Sequence, residues 1–354
     1  MTKSEIKYVN QDVTIRDVAR CAKVSTATVS RALNNPEMVQ KETLIKVREA
    51  IQKLNYAPNQ MGSRLRKLHT RIVLIIMPNI SNPFYSDIVE GMIDVARDER
   101  YEASICLTQL HADQEMKYMD MLIGNHADGA ITLGCELTDP RVIERMKKCQ
   151  VVQCCEYCKD AGAPHISIDN YAAAFQAVKY LIDIGHKRIG FIGSTNTCVS
   201  SIERFEGYKK SLENASLEYS EDIVMYADAN YSFSSAHSVS LKMLSPPNRP
   251  TAIFAISDMM ALAAIAAARS IGIKVPDQLS VFGCDNIEVS RSSTPPISTI
   301  DQSGYIMGKR AMKMLIDILE NRYVPETEIF VEHKILIRES TGALANLHNA
   351  EVIT

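Results

Sequence analysis

Between Thr14 and Leu54 the apolar residues fall three and four positions apart in three short runs. The first run is Ile15, Val18, Ala19 and Ala22, the second Val29, Ala32 and Leu33, the third Leu44, Val47, Ile51 and Leu54. That period gives each of three helices one apolar stripe. Ser25 stands where the N-cap of the second helix belongs, so its hydroxyl is placed to accept an orphan backbone N–H. With Val29 and Leu33 turned inward, Thr26, Ala27, Ser30 and Arg31 face outward. A short helix with small and polar residues at its start and an arginine one turn on suits the DNA major groove. The same hairpin also occurs as ordinary packing in globular proteins.

From Arg71 the pattern changes. Strand-length apolar runs such as RIVLIIM, ADGAITLG, VVQCCE and HISID alternate with amphipathic helical runs. Near residue 170 the alternation starts again with NYAAAFQAVKYLIDIG, then KRIGFIG, TAIFAIS and LSVFGCD as strands between helices. Nearly all-apolar strands separated by helices predict parallel sheets covered on both faces. The predicted fold is a small all-α helix-turn-helix head plus an α/β core of two doubly wound parallel-sheet subdomains. VVQCCE as a strand would point Cys154 and Cys155 to opposite faces. The last elements, a helix over GYIMGKRAMKMLIDILE and one strand over EIFVEHKILIRES, would complete both halves, so the chain crosses between them more than once. Residues 55–70, with Pro58, Arg64, Arg66 and Lys67, have linker composition around one short helix near Leu65.

Charge sharpens this division. The whole 354-residue chain carries only −3, but residues 1–70 hold 13 Lys and Arg against 6 Asp and Glu, and the remainder 26 against 36. A basic head on an acidic body fits a head that meets phosphates and a body that does not. Nine cysteines without a disulfide-like framework predict reduced thiols. No signal-peptide pattern is present, and the expected location is cytoplasmic, away from membranes. Cys155 and Cys158 have redox or metal spacing beside Cys149 and Cys154, but no second such pair or nearby histidine pair completes a zinc site. No GxSxG, P-loop, HExxH or dinucleotide fingerprint appears, so neither an enzyme nor a metal or other cofactor is expected.

These stretches together resemble the LacI family of bacterial transcription regulators. VSTATVSRALNN is followed at family spacing by YAPNQMGSRL, and then by GHKRIGFIG, RFEGY, AISDMMALAA, KVPDQLSVFGCDN and PPISTI. The resemblance implies a DNA-binding head over 1–56, a hinge over 57–70, a periplasmic-binding-protein-like core over 71–342 and a short tail over 343–354. One subdomain would span 71–169 and 301–325, the other 170–298 and 328–342. It further implies a homodimer on a roughly palindromic operator, acting as a repressor whose operator affinity a small-molecule effector controls. Thr26, Ala27 and Arg31 take the positions that read base edges. Thr14, Ser25, Thr28 and Ser30 take those that touch phosphates. Leu65 takes the place of the leucine that wedges into the minor groove. Gly62 and Ser63 replace the usual alanine and arginine before that leucine, and glycine costs a helix about 1 kcal/mol relative to alanine.

Ligands of parallel sheets collect at the carboxyl ends of strands, near a topological switch point. Asn82, Phe84, Tyr85, Arg204, Tyr231, Asp258 and Asp285 take the family's cleft positions, with Ser200 a further candidate. Asp258 could equally cap its helix, Phe84 anchor a core, and Arg204 pair with Glu206. Within the family the resemblance runs nearest to regulators that answer to cytidine. It therefore implies a nucleoside inducer and cooperation with the cyclic-AMP receptor protein on DNA. A pentose, hexose or purine effector is the alternative, and the family contains both signs of ligand response. A solute-binding protein would share the core but not the basic head.

Overall fold

The computed structural model describes residues 13–34, 36–54, 56, 69–134 and 139–343. The chain divides into two compact units, Met1–His69 and Thr70–Thr354. In the first, α1 (Ile15–Ala22), α2 (Thr26–Asn34) and α3 (Lys41–Lys53) enclose a core of Val18, Ala19, Ala22, Val29, Ala32, Val47 and Ala50. Lys23, in the left-handed region at φ 53°, ends α1 and makes the turn. The hinge around Leu65 lies outside the described residues, as do residues 344–354.

The second unit holds two six-stranded sheets. The first sheet runs β11-β5-β4-β3-β1-β2 and is parallel throughout. Its strands are β1 (Ile72–Met77), β2 (Glu102–Leu107), β3 (Gly129–Thr132), β4 (Val151–Cys154), β5 (His165–Ser167) and β11 (Glu328–Phe330). The second sheet runs β12-β10-β9-β8-β6-β7, parallel except for the β10–β12 pair. It is built from β6 (Ile189–Ser194), β7 (Val224–Ala227), β8 (Ala252–Ala255), β9 (Ser280–Asp285), β10 (Ser298–Asp301) and β12 (Lys334–Leu336).

Strand β1 shows why helices cover both faces of its sheet. Val73, Ile75 and Met77 pack with Ile88 and Met92 of α4 (Phe84–Asp98). Leu74 and Ile76 point the other way, to Met119 and Leu122 of α5 (Ala112–Ile123) and to Val142 and Met146 of α6 (Pro140–Met146). In the second subdomain, α7 (Asn170–Asp183), α8 (Val199–Asn214), α9 (Phe233–Leu244) and α10 (Asp258–Ser270) play the same part, followed by the short α11 (Glu288–Ser292). The last helix, α12 (Gly304–Leu319), belongs with the first sheet and packs closely on α4. A side chain on Gly308 would place its Cβ 1.9 Å from the Ile88 carbonyl oxygen, and one on Gly91 would lie 2.2 Å from that of Tyr305. Glycine at both positions lets the two backbones touch.

The chain crosses between the subdomains three times, after β5, after β10 and after β11. Here the sequence expectation needs correction. EIFVEHKILIRES is not one strand: residues 328–330 form β11 at the edge of the first sheet, and only 334–336 form β12 in the second. The segment assigned to the second subdomain therefore begins in the first. The other strand assignments on either side of residue 170 fall in the sheets the restart predicted. At the entrance to the second unit, the Asp128 carboxylate accepts from the Thr70 N–H (2.6 Å), the Thr70 hydroxyl (2.7 Å) and the Arg71 N–H (2.9 Å). Arg71 also pairs with Glu320 at 2.7 Å.

Candidate functional site

Two surfaces carry candidate chemistry. In the head, Ser25 caps α2 as its position suggested: its hydroxyl oxygen accepts the Thr28 N–H at 3.1 Å and lies 2.8 Å from the Thr28 hydroxyl. Thr14 is the N-cap residue of α1, and the Asp17 carboxylate reaches back to accept its N–H and its hydroxyl at 3.0 and 2.6 Å. Those bonds hold the Asp17 carboxyl below its ordinary value. Thr26, Ala27 and Arg31 are exposed along one face of α2, opposite buried Val29 and Ala32, while Thr28 and Ser30 are half-buried. The helix therefore presents an exposed face whose start is small and which carries the arginine one turn on. An arginine so placed matches the paired acceptors of guanine.

The second surface is a cleft between the two subdomains, with about 400 Å³ of empty space, part of it open to solvent. Asn82 enters it from the loop after β1, and Phe84 and Tyr85 from the start of α4 that follows, at the switch point of the first sheet. The loop is shaped by Asn79, whose side-chain oxygen accepts the N–H groups of Ser81 and Asn82, and by Asn82, which accepts that of Phe84. Opposite stand Ser200 and Arg204 of α8, Tyr231 after β7, Ser257 after β8, Asp285 at the end of β9 and Gln302 after β10. The α8 residues follow β6, the switch strand of the second sheet. Cys155 and Glu156 complete the lining from the end of β4.

The polar groups are tightly held. Arg204, 5% exposed, donates Nε to Asn170 at 3.0 Å and Nη1 to the Ile256 carbonyl at 2.7 Å, so it pairs with neither Glu206 nor another acid there. Asp285 sits at φ 128° and Asn286 at φ 60°, a strained strand end that turns the carboxylate into the cleft. Gln302 Nε2 donates to Asp285 Oδ1 at 2.7 Å. Burial, and then the nearby Asp258, push the Asp285 carboxyl well up, against the pull of Arg204. Burial also raises Glu156, while two bonds from Ser200 oppose it. Such a site offers aromatic faces beside a few fixed donors and acceptors.

Of the seven residues expected in the cleft, Asp258 is the one the structure places elsewhere. It is fully buried beneath the lining, where Oδ2 accepts the Ile287 N–H at 3.1 Å and Oδ1 accepts the Thr299 hydroxyl at 2.6 Å. It does not cap its helix either: Ser257 does, accepting the Met260 N–H at 3.2 Å. Gly283 makes room for it, since a Cβ there would lie 2.3 Å from Asp258 Oδ1. Glu156 and Gln302 were not anticipated. Strand β4 stops at Cys154, and Cys155 takes a left-handed turn at φ 69°, which sends Glu156 into the cleft. The same turn brings the Cys154 and Cys155 sulfurs within 3.8 Å, not onto opposite faces. Burial pushes the Cys155 thiol well up, the reverse of a reactive thiolate. Cys198 is disulfide-bonded, contrary to the expectation of reduced thiols, whereas the other seven described cysteines are free.

Comparison with known proteins agrees with this architecture. Residues 14–59 match the model of the lacI family of bacterial regulatory proteins, and residues 178–341 that of the periplasmic binding protein-like domain. The chain is 35% identical to the HTH-type transcriptional repressor CytR of Escherichia coli (strain K12) over 332 residues, which is 94% of this chain and 97% of that protein. It belongs to the LacI family. Within the family it is also 34% identical to catabolite control protein A of Priestia megaterium over 93% of this chain and 99% of that one. To the PurR repressor of Aliivibrio salmonicida it is 32% identical, over 94% and 99%. The lac repressor dimer bound to operator and the anti-inducer ONPF has the same fold, with a TM-score of 0.83 at 23% identity over 94% of this chain and all of that one. The complex of the transcriptional regulator CelR with cellobiose matches at a TM-score of 0.70 and 27% identity over 93% and 99%. As a member of this family, the chain is a DNA-binding transcriptional repressor under ligand control. Among the described residues no helix is long and apolar enough to cross a membrane.

Proposed function

We propose that a nucleoside, cytidine or a close relative, binds the cleft as inducer and lowers the affinity of a homodimer for its operator. The observation that carries this reading is the cleft lining itself: Phe84, Tyr85 and Tyr231 stand beside Arg204 and Asp285. A planar base stacks on the aromatic rings, and paired ribose hydroxyls suit a carboxylate and a guanidinium. Thr26, Ala27 and Arg31 read bases, Thr14, Ser25, Thr28 and Ser30 approach phosphates, and Leu65 wedges into the minor groove at the operator centre. The resemblance to CytR supports the nucleoside, and the proposal extends to the cyclic-AMP receptor protein as a partner on DNA. The 32% identity to PurR and the likeness to the CelR–cellobiose complex favour a purine or a sugar as the second reading.

Ligand closes the cleft and moves one subdomain against the other, and the hinge answers to that movement. It shifts the equilibrium only by its differential affinity for the two states. A thermal-shift screen of the full chain against nucleosides, nucleobases and sugars tests the reading. Cytidine should raise the melting temperature of the wild type and not that of Asp285→Ala. Stabilisation by a purine base or a sugar alone would replace the nucleoside, and stabilisation by cytidine unchanged in Asp285→Ala would remove Asp285 from the site.

A further inference from the structure

Glu156 makes an unusual contact for a cleft residue. It comes from the first subdomain, at the end of β4, and reaches across to the start of α8 in the second. There Oε2 accepts the Ser200 N–H at 3.1 Å and Oε1 accepts the Ser200 hydroxyl. Ser200 is the second residue of a 16-residue helix and is 3% exposed. The first turn of such a helix, with its unpaired N–H groups and its dipole, is where a phosphate group binds when a protein holds one. In this cleft that place is already filled by the chain's own carboxyl group. The remaining cation of the lining, Arg204, has Nε and Nη1 engaged with Asn170 and the Ile256 carbonyl. Asp285 supplies a second carboxyl group. A ligand bearing a phosphate would meet two carboxyl groups and one partly engaged guanidinium.

We propose that Glu156 sets the charge class of the ligand: by occupying the N-terminus of α8 it restricts the cleft to uncharged molecules and excludes their phosphate esters. This rests on the reading that the cleft takes a small polar effector, but it does not depend on the effector being a nucleoside. Glu156 acts as an internal anion. It keeps the helix terminus satisfied in the empty cleft and repels a second anion brought in by a ligand.

The test uses the full chain and matched pairs: cytidine with cytidine 5′-monophosphate, and ribose with ribose 5-phosphate, measured by isothermal titration. In the wild type the uncharged member of a binding pair should bind at least about 10-fold more tightly than its phosphate, since juxtaposed like charges cost several kcal/mol. Glu156→Gln keeps the size and an acceptor for Ser200 but removes the charge, and the ratio should fall to within about threefold of unity. Ser200→Ala leaves the carboxyl group in place and should preserve the exclusion. A phosphate ester that binds the wild type as tightly as its parent would overturn the proposal, as would a Glu156→Gln protein that discriminates as sharply as the wild type. If ribose binds and cytidine does not, the nucleoside reading fails while the ribose pair still decides the role of Glu156.

Discussion

Asp258 offers a sharp test of the difference between a cleft residue and a residue beneath the cleft. Its carboxyl is raised from 3.8 to about 6, chiefly by burial, against the pull of its bonds from Thr299, Ser290 and Ile287. Between those two values the folded chain keeps a proton that the unfolded chain has released. Stability therefore falls as pH rises through roughly 4 to 6 and levels off above. At about 1.36 kcal/mol for each pH unit between the two values, the fall attributable to this group is on the order of 3 kcal/mol. Asp258→Asn keeps the shape and an acceptor for the Ile287 N–H while removing the titration. Urea denaturation of both proteins, at half-unit steps from pH 4 to 7, gives the difference in unfolding free energy. Subtraction cancels exposed groups such as Glu99 and Asp222, whose values are held low and whose contributions are lost as pH falls. The difference should move in favour of the variant by on the order of 3 kcal/mol across the window. Asp285, also raised, adds to it in the same direction through its coupling to Asp258. A difference constant to within about 0.5 kcal/mol across that range would refute the reasoning.

Three further outcomes are expected. Arg31→Ala should leave the melting temperature unchanged and relax sequence preference at one base pair in each half-site by about 1–3 kcal/mol, read by binding to single-substituted operators. Gly308→Ala forces a methyl group against the Ile88 carbonyl and should destabilise the body by at least about 1–3 kcal/mol in denaturant. Asp128→Ala leaves three donors of Thr70 and Arg71 without their acceptor. It should lower stability by about 1–3 kcal/mol and speed amide exchange at those two residues, and unchanged exchange there would show that the carboxylate does not anchor the segment.

Much of this was legible along the chain because it rests on local periodicity. Val18, Val29 and Val47 declare their buried faces by spacing alone, and Ser25 its cap. Asn82, Phe84, Tyr85, Arg204, Tyr231 and Asp285 could be gathered because they lie where parallel strands end or helices begin. What escaped depends on single backbone turns. The left-handed Cys155 ends a strand that its apolar sequence would continue, and so delivers Glu156 to the cleft. Asp258 has the composition of a ligand contact at a strand end, but its side chain turns inward, over the space that Gly283 leaves. Apolar alternation marked residues 328–336 as extended without saying that two sheets share them, since partner choice depends on tertiary contacts that a strand pattern does not encode.

Ligand control of DNA reading is tested most directly by operator affinity with and without effector. DNA selected by the full chain from a random pool would be labelled, and its binding followed by fluorescence anisotropy in the absence and presence of saturating cytidine. A palindromic sequence should be selected, and cytidine should weaken its binding by about 5- to 150-fold in the wild type, the range of coupling of 1–3 kcal/mol, and leave Asp285→Ala unaffected. A chain that selects no sequence, or whose hold on the selected sequence is the same with cytidine, purines and sugars as without them, would contradict the account.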